Sequence, residues 1–472
     1  MQITNSGYSE HGASRRKTSL IKWHSSSKSP HEDISENSAL LRERSRDLYM
    51  GGGPLGRGAI DRIALNAIGR GLKLNVRIDP ALLNMSEQQA SAWSARTEAL
   101  FDYWASSRNA HSGRELSFYD LQCLALKSIL IDGEVLAIIE YTPNISIRLI
   151  EAERIMTPPD RNSKLIDEGV ELNEWGDPAA FHIANRNPNA ELLGQKHLDW
   201  VRIPVTNSTL HLFIRERIGQ HRGVPFLAPV IVQLKQLSRY TEAELMAAVV
   251  AGMYSVFFEH PPREDGMLGS DEYASEQGYG ETSGLEGLST EMMYGSVIDL
   301  PDGVKASSLS PGRPNQNFNG FIEALAHQIG GTLGIPEELL FLHFTASYSA
   351  SRGALLEAWK VFKYWRAWFA ENFCQPVYEA WLEEQVNAGR IEAPLYWRDD
   401  FTRSQYAWAE WVGPSQGQLN PVQEVEAAVM KIQNNLSTYQ RECSELTGED
   451  WDLVMSALTR ERMKLPQADE NT

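Results

Sequence analysis

Phe341-Leu342-His343-Phe344-Thr345-Ala346-Ser347-Tyr348-Ser349-Ala350-Ser351-Arg352 is a hydroxyl-rich stretch, and residues 314–386 around it decide how the chain is read. Before it, Phe318, Ile322, Leu325, Ile329 and Leu333 recur at spacings of three and four, one face of a 3.6-residue period. Gly334 supplies a stop. Ile335-Pro336 resists continuation, because proline lacks an amide hydrogen and crowds the preceding turn. After it, Leu355, Trp359, Phe362, Phe369 and Phe373 form a second stripe, with Arg366 inside the same spacing. Two amphipathic helices joined by such a loop fit a bundle element, an active-site loop or a pore lining.

The 472 residues bound the chain at two or three domains. The formal net charge is −18. Such a surface does not hold nucleic acid by general phosphate attraction, although it suits a path along which DNA slides without sticking. The charge is uneven: residues 1–60 carry nine Lys and Arg against six Asp and Glu. Cys123, Cys374 and Cys443 lie far apart, with no CxxC and no metal-ligand spacing, as expected of buried or partly buried thiols in a reducing compartment. The first thirty residues lack the apolar core of a signal peptide. The longest charge-free apolar run, 245–258, is too short to span a bilayer, so a soluble cytosolic product is expected.

Working outward, residues 1–40 are polar and without period, and read as a flexible arm. Residues 41–48 read as a short charged helix, whose Arg42, Arg44 and Arg46 are candidate basic contacts with DNA or an acidic partner, or else a solvated face. Gly51-Gly52-Gly53-Pro54-Leu55-Gly56 matches GxGxxG, but no strand precedes it and Pro54 removes an amide, so a hinge is the better account. Ser86 and Gln89 fit a capping box ahead of Trp93, Leu100, Phe101 and Trp104. Residues 118–131 read as an apolar helix or strand, Asp132-Gly133 as a turn, and 134–141 as a strand. Short strands follow at 146–149, 178–184, 201–204 and 210–214, giving a mixed α+β region without regular βαβ alternation. Residues 225–257 read as a long helix with a small, apolar second half. Residues 259–300 hold ten Asp and Glu against one Arg and read as exposed; 297–309 looks like a hairpin around Pro301-Asp302-Gly303. Near the end, Val422, Val425, Val429, Ile432 and Leu436 mark one helical face, followed by a capped second helix ending at Gly448.

Catalytic chemistry finds little footing. There is no HExxH, GxSxG, phosphate loop or Cys/His ligand cluster. His343 and Ser349 are a base and a nucleophile without an orienting third group nearby in sequence. No cofactor, no metal and no catalytic residue is expected.

Several segments together resemble the lambda-type tailed-phage portal proteins. They are Gly219-Gln220-His221-Arg222-Gly223-Val224-Pro225-Phe226-Leu227-Ala228-Pro229, Leu237-Ser238-Arg239-Tyr240-Thr241-Glu242-Ala243-Glu244-Leu245 and Tyr348-Ser349-Ala350-Ser351-Arg352-Gly353-Ala354-Leu355-Leu356-Glu357. The last is close to that family's NYSSxRxALLE pattern, with Ser347 where Asn is usual. Residues 41–48, 303–314, 376–382, 411–414 and 436–438, and Gly334-Ile335-Pro336, fit as well, so the resemblance runs from about residue 40 to 463 in order and spacing.

The resemblance implies an α+β, mainly helical portal-type fold: wing, two-helix stem, clip and helical crown, assembled as a ring. The boundaries it implies are an N-terminal arm at 1–55, the wing at 56–238, a first stem helix at 239–258 and the clip, with its acidic segment, at 259–314. A second stem helix follows at 315–340, a tunnel loop at 341–352, a long wing helix with its return at 353–400, and the crown at 401–472. His343, Thr345, Ser347, Tyr348, Ser349, Ser351 and Arg352 are then candidate DNA contacts. The ring, usually twelve-fold, sits at one capsid vertex in the virion after assembly in the host cytoplasm. Double-stranded DNA passes through it. Its implied partners are the terminase large subunit, capsid and scaffold proteins and a head-completion adaptor, with no membrane. Two other classes stay open at this point: a carboxylate-dependent hydrolase or nuclease, and a monomeric DNA-binding module using residues 1–48.

Overall fold

Helix ends in this chain follow local chemistry. The computed structural model describes residues 17–20, 22, 27–51, 54–160, 165–188, 199–252, 256–258, 297–299, 317–344, 347–417, 421–448 and 451–464. The helices are α1 (Glu36–Met50), α2 (Pro54–Ala67), α3 (Glu87–Ser106), α4 (Phe118–Asp132), α5 (Ile231–Gly252), α6 (Phe318–Leu333), α7 (Glu337–Phe341), α8 (Tyr348–Phe369), α9 (Gln375–Asn387), α10 (Asp400–Tyr406), α11 (Pro421–Gln433), α12 (Tyr439–Thr447) and α13 (Trp451–Lys464). Ser86 and Gln89 close the expected capping box of α3, and Ser117 with Asp120 closes a second one on α4. Each satisfies helix-end amides that would otherwise lack partners. Thr438 caps α12 and Gly448 ends it in the left-handed region.

The strands are β1 (Lys73–Val76), β2 (Val135–Glu140), β3 (Ser146–Glu151), β4 (Ile166–Asp167), β5 (Val170–Leu172), β6 (Pro178–Ala184), β7 (Trp200–Pro204), β8 (Thr209–Leu212), β9 (Val256–Phe258), β10 (Val297–Asp299) and β11 (Ala409–Val412). Two antiparallel sheets, β3-β2-β8 and β4-β5-β6-β7, make up the α+β region. β9 and β10 pair in parallel, Val256 opposite Val297. The expected second arm of a hairpin, 304–309, and the acidic run 259–296 lie outside the described residues.

One core joins sequence-distant helices. Phe101 of α3 stands edge-on to Phe118 of α4 and to Tyr378 and Trp381 of α9, with ring centroids 5.8, 5.6 and 5.1 Å away. Such edge-to-face pairs set the ring's positive edge against its neighbour's negative face. β1 pairs antiparallel with β11, Lys73 opposite Val412, so the late chain returns to close the early core. α8 and α9 run on through a single π turn at Ala370–Cys374, and Trp359, Phe362, Phe369 and Phe373 are all buried, as their spacing predicts.

Four expectations change. The helix expected over 225–257, with its first stem segment at 239–258, is α5 from Ile231 to Gly252, and Val256–Phe258 is the strand β9. Residues 31–50 are helical and not part of an arm: a π turn at His31–Ser35 leads into α1, the turn docking on β4 through His31 and Asp167 and α1 docking on the end of α4 through Arg46 and Asp132. The stretch 348–352 is the first turn of α8, not loop. The C-terminal helices number three among the described residues, because Trp451 stacks on Tyr439 at 5.1 Å and continues the packing beyond Gly448. The three cysteines are free, with Cys374 buried and the others half-buried.

Candidate functional site

The candidate loop is now short, and its supports are specific. Tyr240 of α5 stacks on Phe318 of α6 at 5.6 Å and meets Phe321 edge-on at 4.8 Å, which zips the two helices. α6 stops at Gly334, whose φ of +69° lies in the left-handed region where a Cβ is disfavoured. Ile335 then turns inward, fully buried, and its amide donates to the Gly330 carbonyl at 3.0 Å. Leu340 anchors α7, and the Arg62 side chain donates to the Leu339 carbonyl at 3.4 Å.

The exposed tip follows. α7 ends at Leu342, a non-glycine residue with φ of +52°, and the His343 amide donates back to the Glu338 carbonyl at 3.1 Å. Phe341, Leu342, His343 and Phe344 all face solvent, so the tip is apolar as well as polar. Ser347 starts α8, its hydroxyl 3.4 Å from that of exposed Ser349. Thr345 lies outside the described residues, and nothing is described of the Tyr348 side chain. Ser351 is half-buried. Arg352 lines a cavity of about 440 Å³ between α8 and helices α11 and α12, together with Glu424, Glu442 and Glu445. The sequence alone groups Arg352 with the loop; the fold turns it toward carboxylates of its own chain.

Behind the tip, α8 is fixed by Arg366. Its guanidinium donates to the carbonyls of Asn66 (3.0 Å), Ala67 (2.8 Å) and Pro414 (2.7 Å), and lies 5.6 Å from the Trp359 ring centre. Burial lowers its pKa to about 10, which still leaves it charged at neutral pH. A cation at the carbonyl end of α2 is favourable, and here it also ties down the linker to α11.

The strongest cluster of charge sits elsewhere. Glu134, read from sequence as the edge of a turn, is fully buried. Arg222 donates to it at 2.7 Å, Arg42 at 3.3 Å and the Gly223 amide at 2.8 Å, and His211 lies 3.0 Å away. Arg222 also donates to the carbonyls of Ala152 (2.9 Å), Ile155 (3.0 Å) and Glu168. Burial alone would raise the Glu134 carboxyl; the Arg222 charge and the His211 ring reverse that and hold it well below the usual carboxylate range. Gly223 permits the approach, since a Cβ there would stand 2.1 Å from the Gly133 carbonyl oxygen. Nothing in this cluster is open to a substrate. It staples α1, β2, β8 and the 219–225 segment together.

The fate of the candidate arginines follows. Arg42 is buried on Glu134. Arg46 is gripped by Asp132 at 2.8 Å and Glu153 at 2.5 Å. Arg44 alone of the three stays exposed. Among the described residues no three His, Cys, Asp or Glu side chains gather as a metal site, and no helix is long and apolar enough to cross a membrane.

Residues 16–366 match the family model described as phage portal protein, lambda family. The chain is 24% identical to the portal protein of Escherichia phage N15, across 94% of this chain and 88% of that one. It is likewise 24% identical to portal protein B of Escherichia phage lambda, across 94% and 87%. Among solved structures, a chain from the virion of a native gene transfer agent particle aligns over 87% of this chain and 93% of its own, at 15% identity and a TM-score of 0.41.

Proposed function

The chain belongs to the lambda family of phage portal proteins, and from that premise we propose that its copies form a twelve-fold ring at one capsid vertex, with double-stranded DNA passing through the centre. The family is structural rather than enzymatic, so the carboxylate-dependent hydrolase reading falls. The observation that carries the ring reading is the exposed set Phe341, Leu342, His343, Phe344 and Ser347, mounted between α6 and a rod of α8 and α9 buried along one side. A rigid mount with a solvent-facing tip is what a channel constriction requires. His343, Ser347 and Ser349 offer DNA hydrogen-bonding groups without neutralising phosphates, and a chain of net charge −18 repels the rest of the duplex. The tunnel loop is therefore 342–347, shorter than the sequence alone implies. Arg352 belongs to the seat of the crown, the three helices α11–α13. Arg44 is the remaining candidate for an external basic contact.

In this reading the α+β region is the wing, α5 and α6 form the stem, and the residues between them form the clip. The clip is where the terminase large subunit docks during filling and a head-completion adaptor afterwards, while the wing faces capsid and scaffold proteins. The ring is built in the host cytoplasm and ends in the virion.

Electron microscopy of the purified protein tests this directly. Annular particles with a central hole are expected; a homogeneous monomer under all assembly conditions overturns it. The loop has its own test. Replacing His343–Ser347 by a Gly-Ser linker, which spares the first turn of α8, is expected to leave rings intact and impair DNA packaging or retention. Normal packaging removes the loop assignment.

A further inference from the structure

Helix α11 is built inside out. Glu424, Ala428 and Lys431 share the face turned toward the rest of the chain: Ala428 is buried, Glu424 and Lys431 line the cavity against α8, and Lys431 donates to Glu442 of α12 at 3.2 Å. The other side carries Val422, Val425 and Val429, exposed by 67%, 47% and 44%, with Leu436 just beyond the helix at 76%. A surface helix normally does the reverse, turning its apolar stripe to the core and its charges to water. Here the chain gives α11 a charged seat beside a cavity and leaves the apolar stripe uncovered. Ala428 is the one buried residue of α11 among those described, so the valine stripe is left for another surface to cover.

We propose that the stripe from Val422 to Leu436 is a contact between neighbouring copies of this chain, made against the α12–α13 surface of the next copy. This rests on the ring reading above. The exposed strip is of the order of 400 Å², about the size of the largest apolar patch on an ordinary monomer, which is often functional. It is only about half of the ~800 Å² that each partner of a stable two-body interface buries. That is too little to hold a separate partner, and it suits a contact added to a larger one between the same two bodies. A ring supplies such a contact, always between two different faces of the chain. The second face is on hand. α13 exposes Leu458 and Met463 beside Arg460, Glu461 and Arg462, a net charge of about +1, and exposed Glu426 next to Val425 offers the opposite sign. DNA does not fill the role, because a valine stripe has nothing to offer phosphate.

Hydrogen exchange over residues 421–447, read in assembled rings and in dissociated subunits, tests the contact. Assembly is expected to slow these amides by roughly tenfold or more. Rings of the Val425→Lys, Val429→Lys double variant are expected to lose that slowing. Both valines face solvent in the single chain, so its circular dichroism and melting should not change; the milder Val425→Ala, Val429→Ala pair, expected to lose part of the slowing, covers the case in which they do. Rings whose 421–447 amides exchange as fast as those of free subunits overturn the contact. Slowing that appears only when other head proteins are added assigns the stripe to a different partner and overturns it too. If no rings form at all, the ring reading fails and takes this proposal with it, whereas rings with an unprotected α11 remove the proposal alone.

Discussion

Two groups of ion pairs hold this chain together, and they are built in opposite ways. Around Glu134 the carboxylate is fully buried, Arg222 and Arg42 are buried with it, and backbone groups satisfy most of what remains. Between α8 and α12, Lys363 meets Glu445 at 3.5 Å, and within α12 Arg441 meets the same carboxylate at 3.8 Å, with both cations and the shared acid largely exposed beside a cavity; Glu442, held there by Lys431 of α11, is the buried acid of that group. Charges taken out of water cost heavily unless every one is answered, so the first group fixes one geometry and tolerates no partial loss. Exposed pairs are screened and contribute little, so the two Glu445 pairs guide docking without locking it.

The largest expected effect is at the buried hub. Glu134→Ala leaves two buried guanidinium groups uncompensated, and a loss of roughly 3–5 kcal/mol in denaturant unfolding is expected. A loss no larger than that of an exposed pair would erase the contrast. The same site sets an acid limit. A carboxyl depressed in the folded state contributes stability that is fully present above its ordinary value, about 4.3 for glutamate, and fades as pH falls below it toward the depressed one. Stability measured from pH 6 downward should therefore fall more steeply in the wild type than in Glu134→Gln.

Trp359 stands where the two regions meet. One side of it is buried in the core, and it lines the crown cavity. Trp359→Ala is expected to cost about 3 kcal/mol, at the low end for a buried aromatic because the cavity already relieves packing there. Unchanged thermal stability would refute its burial.

His31 gives a smaller and local effect. It lies 2.7 Å from Asp167, and that hydrogen bond raises its pKa above the ordinary 6.5 despite the opposing effect of burial. A raised histidine contributes below its ordinary value and is lost as pH rises through the folded one. Residues 27–35 should thus become more open to limited proteolysis between pH 6 and pH 8.5, and His31→Ala should remove the dependence. The smallest effect belongs to Lys363→Ala, expected within about 0.5 kcal/mol. A larger loss would mean that the crown is locked by its charges after all.

Local signals were legible from the amino-acid order. The capping box at Ser86, the stop at Gly334, the stripe through Trp359 and Phe373 and the end at Gly448 all follow from spacing within a few turns of one segment. The candidate site was half legible: the tip at 341–344 is exposed as its position between two helices implies, while Arg352 lines the cavity beside α11 and α12. No periodicity marks which way a charged residue at the end of a loop turns. For the same reason Arg42 and Arg46, at ordinary positions of a charged helix, gave no sign of being spent on Glu134, Asp132 and Glu153.

The sequence by itself determined the amphipathic stripes, the helix ends at Ser86, Gly334 and Gly448, the family and the absence of a local catalytic motif, because each of these is written in residues close together or in a fixed order. Only the tertiary structure decided that β1 pairs with β11, that Glu134 at the start of its strand is a buried hub, and that α11 shows its valines to solvent. Those outcomes depend on which distant surfaces meet. Burial of a charge or exposure of an apolar stripe is a property of that meeting, not of the residue that carries it.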